Sequence, residues 1–177
     1  MIIKSIKDKV AQFFFRNPAS RLRVRQIERE VKVSLPSAIR AAKELESEGI
    51  LISTDIAGVK TYSASRDDPE YLVQKKLFNL FEIHQSGLIT YLREIRSNPT
   101  IVLFGSYARG EDVEESDIDL YLEAPNTKPI QLDKYEKILG HKIQVFMHKN
   151  IRDIKNKDLA NNIINGITLN GFLEVFT

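Results

Sequence analysis

The sequence has no cysteine. That excludes disulfide staples and thiolate metal sites, and it makes a reducing cytoplasm the expected location. Nor does any apolar stretch approach the roughly 18 residues needed to cross a bilayer, so no membrane partner is expected. Internal repeats and low-complexity tracts are missing as well. The opening "MIIKSIKDKVAQFFF" sets charges among apolar residues at helical spacing, unlike a signal peptide. What is present is an ordinary globular composition, 42% hydrophobic and 28% charged. A chain of 177 residues suffices for one large domain or two small ones.

The formal net charge of +2 conceals a division. Residues 1–66 carry 13 Lys+Arg against 7 Asp+Glu, a balance of +6, and the remainder has a balance of −4. A basic first third suggests a polyanionic partner, and an acidic remainder suggests bound cations or solubility alone. Two domains fit this better than one.

The first segment reads as three helices and a hairpin. "IKDKVAQFFFR" carries an apolar stripe at Ile6, Val10, Phe13 and Phe14 that "NP" ends. "VRQIEREV" is a short second helix. "LPSAIRAAKELESEG" is a third, with Ser34 as N-cap, Pro36 in the first turn and Gly49 as the stop. "ILIST" and "KTYSAS", joined through "DIAG", form a hairpin. Residues 67–97 read as a long helical segment, broken near Ser86-Gly87. Residues 98–177 alternate strands and helices, beginning with a buried strand from Thr100 to Phe104.

That strand runs into "GSYARGEDVEESDIDL", residues 105–120. A Gly-Ser turn lets the backbone come close to a phosphate and supplies N–H donors and a hydroxyl. Asp117 and Asp119 follow with one residue between them. In a strand, residues i and i+2 share a face, about 6–7 Å apart, so both carboxylates can converge on a hard cation that bridges to phosphates. Taken alone, Asp-x-Asp also describes the solvated acids of an exposed edge strand.

Together, Gly105-Ser106, the ten residues that follow and Asp117-x-Asp119 resemble the signature of the DNA-polymerase-β-like nucleotidyltransferases, most closely the minimal type. The resemblance covers roughly residues 72 to 177 and includes the ending "IINGITLNG". It implies an α+β fold with a mixed sheet and flanking helices. It also implies transfer of a nucleoside monophosphate from an NTP to a hydroxyl with release of pyrophosphate, dependent on Mg²⁺ or Mn²⁺. Carried over, Gly105 and Ser106 would touch the triphosphate, Asp117 and Asp119 would hold metal, and Arg109 would meet phosphate oxygens or simply cap its helix. Minimal nucleotidyltransferases commonly pair with a HEPN-type protein, so the resemblance also implies an antitoxin-like role with such a partner.

One position departs from that pattern. The family usually adds a third carboxylate on the next core strand, where this chain has Gln144. An amide can ligate through its carbonyl but supplies no charge and accepts no proton; losing such a base costs several kcal/mol, as an order of magnitude. Glu123 has the parity of the two aspartates but lies further along. His141 and His148 read as surface residues. A binding domain with lapsed catalysis is therefore the competing reading.

The order three helices then two strands is that of a winged helix-turn-helix, and "VSLPSAIRAAKELESEGIL…GVKTYSAS" resembles ArsR/MarR-like regulators. The resemblance implies a recognition helix in the DNA major groove. With Ile39, Ala42 and Leu45 inward, Ser37, Arg40, Lys43 and Ser47 face outward. Arg21, Arg23 and Arg25 line the approach, and Lys60 sits near the wing, a basic face suited to phosphates. A protein-docking module is the alternative. The apolar stripe between Tyr71 and Ile95 is either core packing or a homodimer face, which paired half-sites on DNA would favour.

Overall fold

The computed structural model describes residues 5–125 and 129–176, and its chain divides into two units, Met1–Phe78 and Asn79–Thr177. The division falls inside the long helix, within the 67–97 segment.

In the first unit, α1 (Ile6–Arg16) starts with a capping box: Ser5 Oγ accepts from Asp8 N, and the Asp8 carboxylate accepts from Ser5 N. A three-residue strand, β1 (Arg21–Arg23), leads into α2 (Val24–Val31), and α3 (Leu35–Ser47) follows a turn with Lys32 in the left-handed region. Strands β2 (Leu51–Ile56) and β3 (Val59–Ala64) pair antiparallel across Ala57-Gly58. Both turn residues have positive φ, as a tight hairpin requires. The sheet order is β1-β3-β2. Val10, Phe14, Phe15, Ile27, Ala42, Leu45 and Leu51 form the buried core. Helix α4 (Pro69–Ser86) contributes Tyr71 and Phe78 to it, and buried Lys75 donates to the Phe15 carbonyl at the end of α1.

One expectation for this unit is corrected. Ile39 is 39% exposed, and the inward face of α3 is Ala38, Ala41, Ala42 and Leu45. Small alanines let α3 approach its neighbours closely, whereas a branched Ile there would hold it off. Ser34 is the N-cap of α3, as expected, and its side chain donates to Ser37 Oγ at 2.9 Å.

In the second unit, Gly87 (φ +77) separates α4 from α5 (Leu88–Ile95). Strand β4 (Thr100–Phe104) is followed at once by the short helix α6 (Gly105–Arg109), then β5 (Ile118–Glu123), α7 (Asp133–Leu139) and β6 (Ile143–His148). A 3-10 turn (Ile151–Asp153), α8 (Lys157–Ile164) and β7 (Ile167–Asn170) complete it. The sheet order is β6-β5-β4-β7, with β5 and β6 parallel and the other pairs antiparallel. This is a mixed α+β architecture.

Period-2 alternation gives the sheet two dissimilar faces. Ile118, Leu120 and Leu122 pack with Leu88, Leu92 and Tyr135. Val102, Phe104 and Tyr121 pack instead with Ile151, Ile154 and Ile163. Asp119 shares the second face, at its open end.

Candidate active site

Everything at this site depends on where β4 stops. Phe104, its last residue, pairs with Asp119, and Asp119 in turn pairs with Gln144 on the far side of β5. The chain then bends at Gly105, whose φ of +76 is in the left-handed region that favours glycine. A Cβ built there would collide with the Asp119 carboxylate, whose Cγ lies 3.2 Å away. The turn and the acid are thus packed against each other. They are remote in neither sequence register nor space.

Asp119 is partly buried and Asp117 is exposed. Burial raises the Asp119 carboxyl above its ordinary range, the Asp117 charge adds to this, and Arg109 opposes it. Asp119 therefore feels the charges of both Asp117 and Arg109. Arg109 itself is exposed and pairs with Glu111 through Nε at 2.7 Å. Ser106 is half-buried, and its carbonyl accepts from Glu111 N at 3.0 Å. A close glycine turn beside two carboxylates is an oxygen-rich cradle, and that donor chemistry fits Mg²⁺ or Mn²⁺. Asp117 and Asp119 are the residues that would hold such an ion. Among the described residues, no group of three His, Cys, Asp or Glu side chains assembles for metal.

The remaining polar candidates are occupied elsewhere. Glu123 lies at the far end of β5, where its carboxylate accepts from Ile151 N at 2.9 Å and starts the 3-10 turn. His148 stacks on the Tyr121 ring. His141 Nδ1 meets the Ser116 carbonyl at 2.8 Å, which makes that nitrogen the donor, and its ring packs edgewise on Tyr107.

Sequence reasoning missed two residues. Asn79, fully buried on α4, donates through Nδ2 to the Tyr107 carbonyl and to Asp112 Oδ1. Asp112, although it lies in an acidic loop, is only 2% exposed. Neither carries a local signal, because a polar residue in a helix and an acid in an acidic loop both read as surface.

In the first unit, Ser37, Arg40 and Lys43 lie on α3 opposite its alanine face, with Arg40 and Lys43 exposed. Arg40 makes only a loose 3.8 Å approach to Glu44. Lys60, on β3, is held by Glu46 at 2.9 Å and lies over the Tyr62 ring. The Ser53 hydroxyl and Lys60 together hold the Glu46 carboxyl below its usual range. Arg21, Arg23 and Arg25 are all exposed.

Comparison with known proteins bears on the second unit. Over 61 residues the chain is 48% identical to a Methanocaldococcus jannaschii protein described as a candidate protein adenylyltransferase. That alignment covers 30% of this chain and spans 61% of the relative's length. No helix among the described residues is long and apolar enough to cross a membrane. The family model described as a nucleotidyltransferase domain matches residues 86–164, a span that contains the glycine turn and both aspartates.

Proposed function

We propose that the chain transfers a nucleoside monophosphate from an NTP to a hydroxyl group, most simply AMP to a protein hydroxyl, and that its first unit is a winged helix-turn-helix that binds DNA. The observation that carries the first part is the contact of the Gly105 turn with the Asp119 carboxylate. Phosphates bound at the turn would lie directly beside the acid pair.

The backbone at Gly105 and Ser106 receives the triphosphate, and Arg109 releases Glu111 to meet a phosphate oxygen. Asp117 and Asp119 would hold a divalent ion, which would supply charge neutralisation at the phosphates. The acceptor oxygen forms a bond to the α-phosphorus as the bond to the pyrophosphate oxygen breaks. The hydroxyl proton passes to solvent, since Gln144 has no proton-accepting form. Positioning and charge neutralisation carry the rate.

Incubation with α-labelled ATP and Mg²⁺ or Mn²⁺ should label a protein acceptor, and Asp117→Ala should abolish the label. Retention of label in that variant would remove the acid pair from the mechanism.

The neutral Gln144 beside Asp119 favours a second reading, in which the domain binds a nucleotide and reports it to a DNA-binding regulator without turnover. Nucleotide binding with neither labelling nor pyrophosphate release is its expected signature.

For the first unit, the support is the element order, the exposed basic residues of α3 and the +6 balance of residues 1–66.

A further inference from the structure

Between the turn at Gly105-Ser106 and the acid pair runs a loop whose geometry neither end sets. It is held from inside. Asn79 Nδ2 donates to the Tyr107 carbonyl at 2.9 Å and to Asp112 Oδ1 at 2.6 Å. The first bond grips α6, which begins with the turn; the second grips the loop that leads to Asp117. Burying a carboxylate is costly unless donors meet it, so a buried acid marks a place where the chain is fixed. Glu111 and Glu115 stay exposed, whereas Asp112 is taken in. Two further ties hold the loop's end: Val113 N donates to Ser116 Oγ at 2.9 Å, and His141 meets the Ser116 carbonyl just before Asp117.

We infer that Asn79 and Asp112 are positioning residues that fix the spacing between the phosphate-binding turn and the carboxylates of Asp117 and Asp119. The inference rests on the nucleotidyltransferase reading of that turn and acid pair. Neither residue can touch substrate, because both are closed off from solvent. The chemistry explains the residue type at 79. A primary amide carries two N–H groups on one nitrogen, enough for a carbonyl and a carboxylate together, while Asp at 79 would donate nothing and would face a like charge.

The test compares Asn79→Ala, Asp112→Ala and Asp112→Asn with wild type by amide hydrogen exchange and by ATP binding with and without Mg²⁺. Both alanine variants should exchange faster at Val113, Ser116 and Ile118 while the far strands keep their protection. Metal-free ATP binding should hold, whereas the Mg²⁺ concentration needed for tight binding should rise about 10–100-fold, the usual effect of losing a partner behind a metal ligand. Asp112→Asn keeps an acceptor for the Asn79 amide and should stay near wild type. Unchanged loop exchange with an unchanged Mg²⁺ requirement would overturn the inference, as would a uniform loss of protection across the unit. Should the wild type bind no ATP under either condition, the nucleotide reading fails instead, and loop exchange still decides whether the strap exists.

Discussion

Asp119 and Gln144 are direct neighbours across the parallel pairing of β5 and β6, on the sheet face that also bears Phe104. Any carboxylate placed at 144 would therefore stand beside an existing one, at the open end of that face. Gln144→Glu is expected to raise pyrophosphate release by at least about 10²-fold, the lower range for a positioned base. A coupled pyrophosphate assay across Mg²⁺ and Mn²⁺ concentrations checks this. No gain at any metal concentration would show that charge at 144 does not limit the reaction.

Gly105 offers a separate handle on the same pocket. Gly105→Ala puts a side chain into the left-handed region, at a cost of about 1–2 kcal/mol, and drives it against Asp119. Stability should fall by at least that amount in a denaturant titration, and ATP binding should be lost along with it. Wild-type affinity in the alanine variant would mean that the close approach is not part of nucleotide recognition.

The raised Asp119 carboxyl gives a pH signature. Because the folded state holds this proton more tightly than the unfolded chain does, its contribution is fully present below the ordinary value of 3.8 and is lost as pH rises through the folded value. At neutral pH the ionised Asp119 carboxylate therefore works against folding. Asp119→Asn should unfold at a higher temperature than wild type at pH 7, with the advantage gone near pH 3.5. Added Mg²⁺ should stabilise the wild type and leave the variant unmoved. Thermal scans at the two pH values measure both effects.

The basic residues of the first unit differ in how free they are. Arg40 is only loosely engaged, whereas Lys60 is committed to Glu46. Arg40→Ala combined with Lys43→Ala should flatten the salt dependence of DNA affinity by about 0.9 in log–log slope for each lost phosphate contact. Lys60→Ala should change it less. Fluorescence anisotropy across a salt series separates the two, and equal slopes in all variants would take α3 out of the interface.

Local pattern made much of this legible. Strand β4 was bounded at both ends by its own apolar run, the helix break at Gly87 by its glycine, and the hairpin by Ala57-Gly58. What escaped was long-range. Strand β1 is three residues of "RLR" that exist as a strand only because Arg21 to Arg23 pair with Thr61 to Ser63, and nothing nearby announces that partner. On α3, Ala42 and Leu45 are inward as expected but Ile39 is not, since hydrophobicity ranks Ile39 above Ala38 whereas close helix packing prefers the smaller side chain. The Asn79–Asp112 bond joins residues 33 apart in sequence, both polar, so composition sorts them to the surface. At the candidate site the turn and the acid pair are visible as a motif, while the contact of the turn with Asp119 shows only in the pairing of β4 with β5.

The pairing of β7 with β4 bears on how the protein is made. Until residues 167–170 have left the ribosome, the strand that ends at Phe104 has one side bare. During synthesis the candidate site therefore matures late, after the first unit has had time to fold, and the unpaired edge is a point at which the nascent chain is exposed to aggregation.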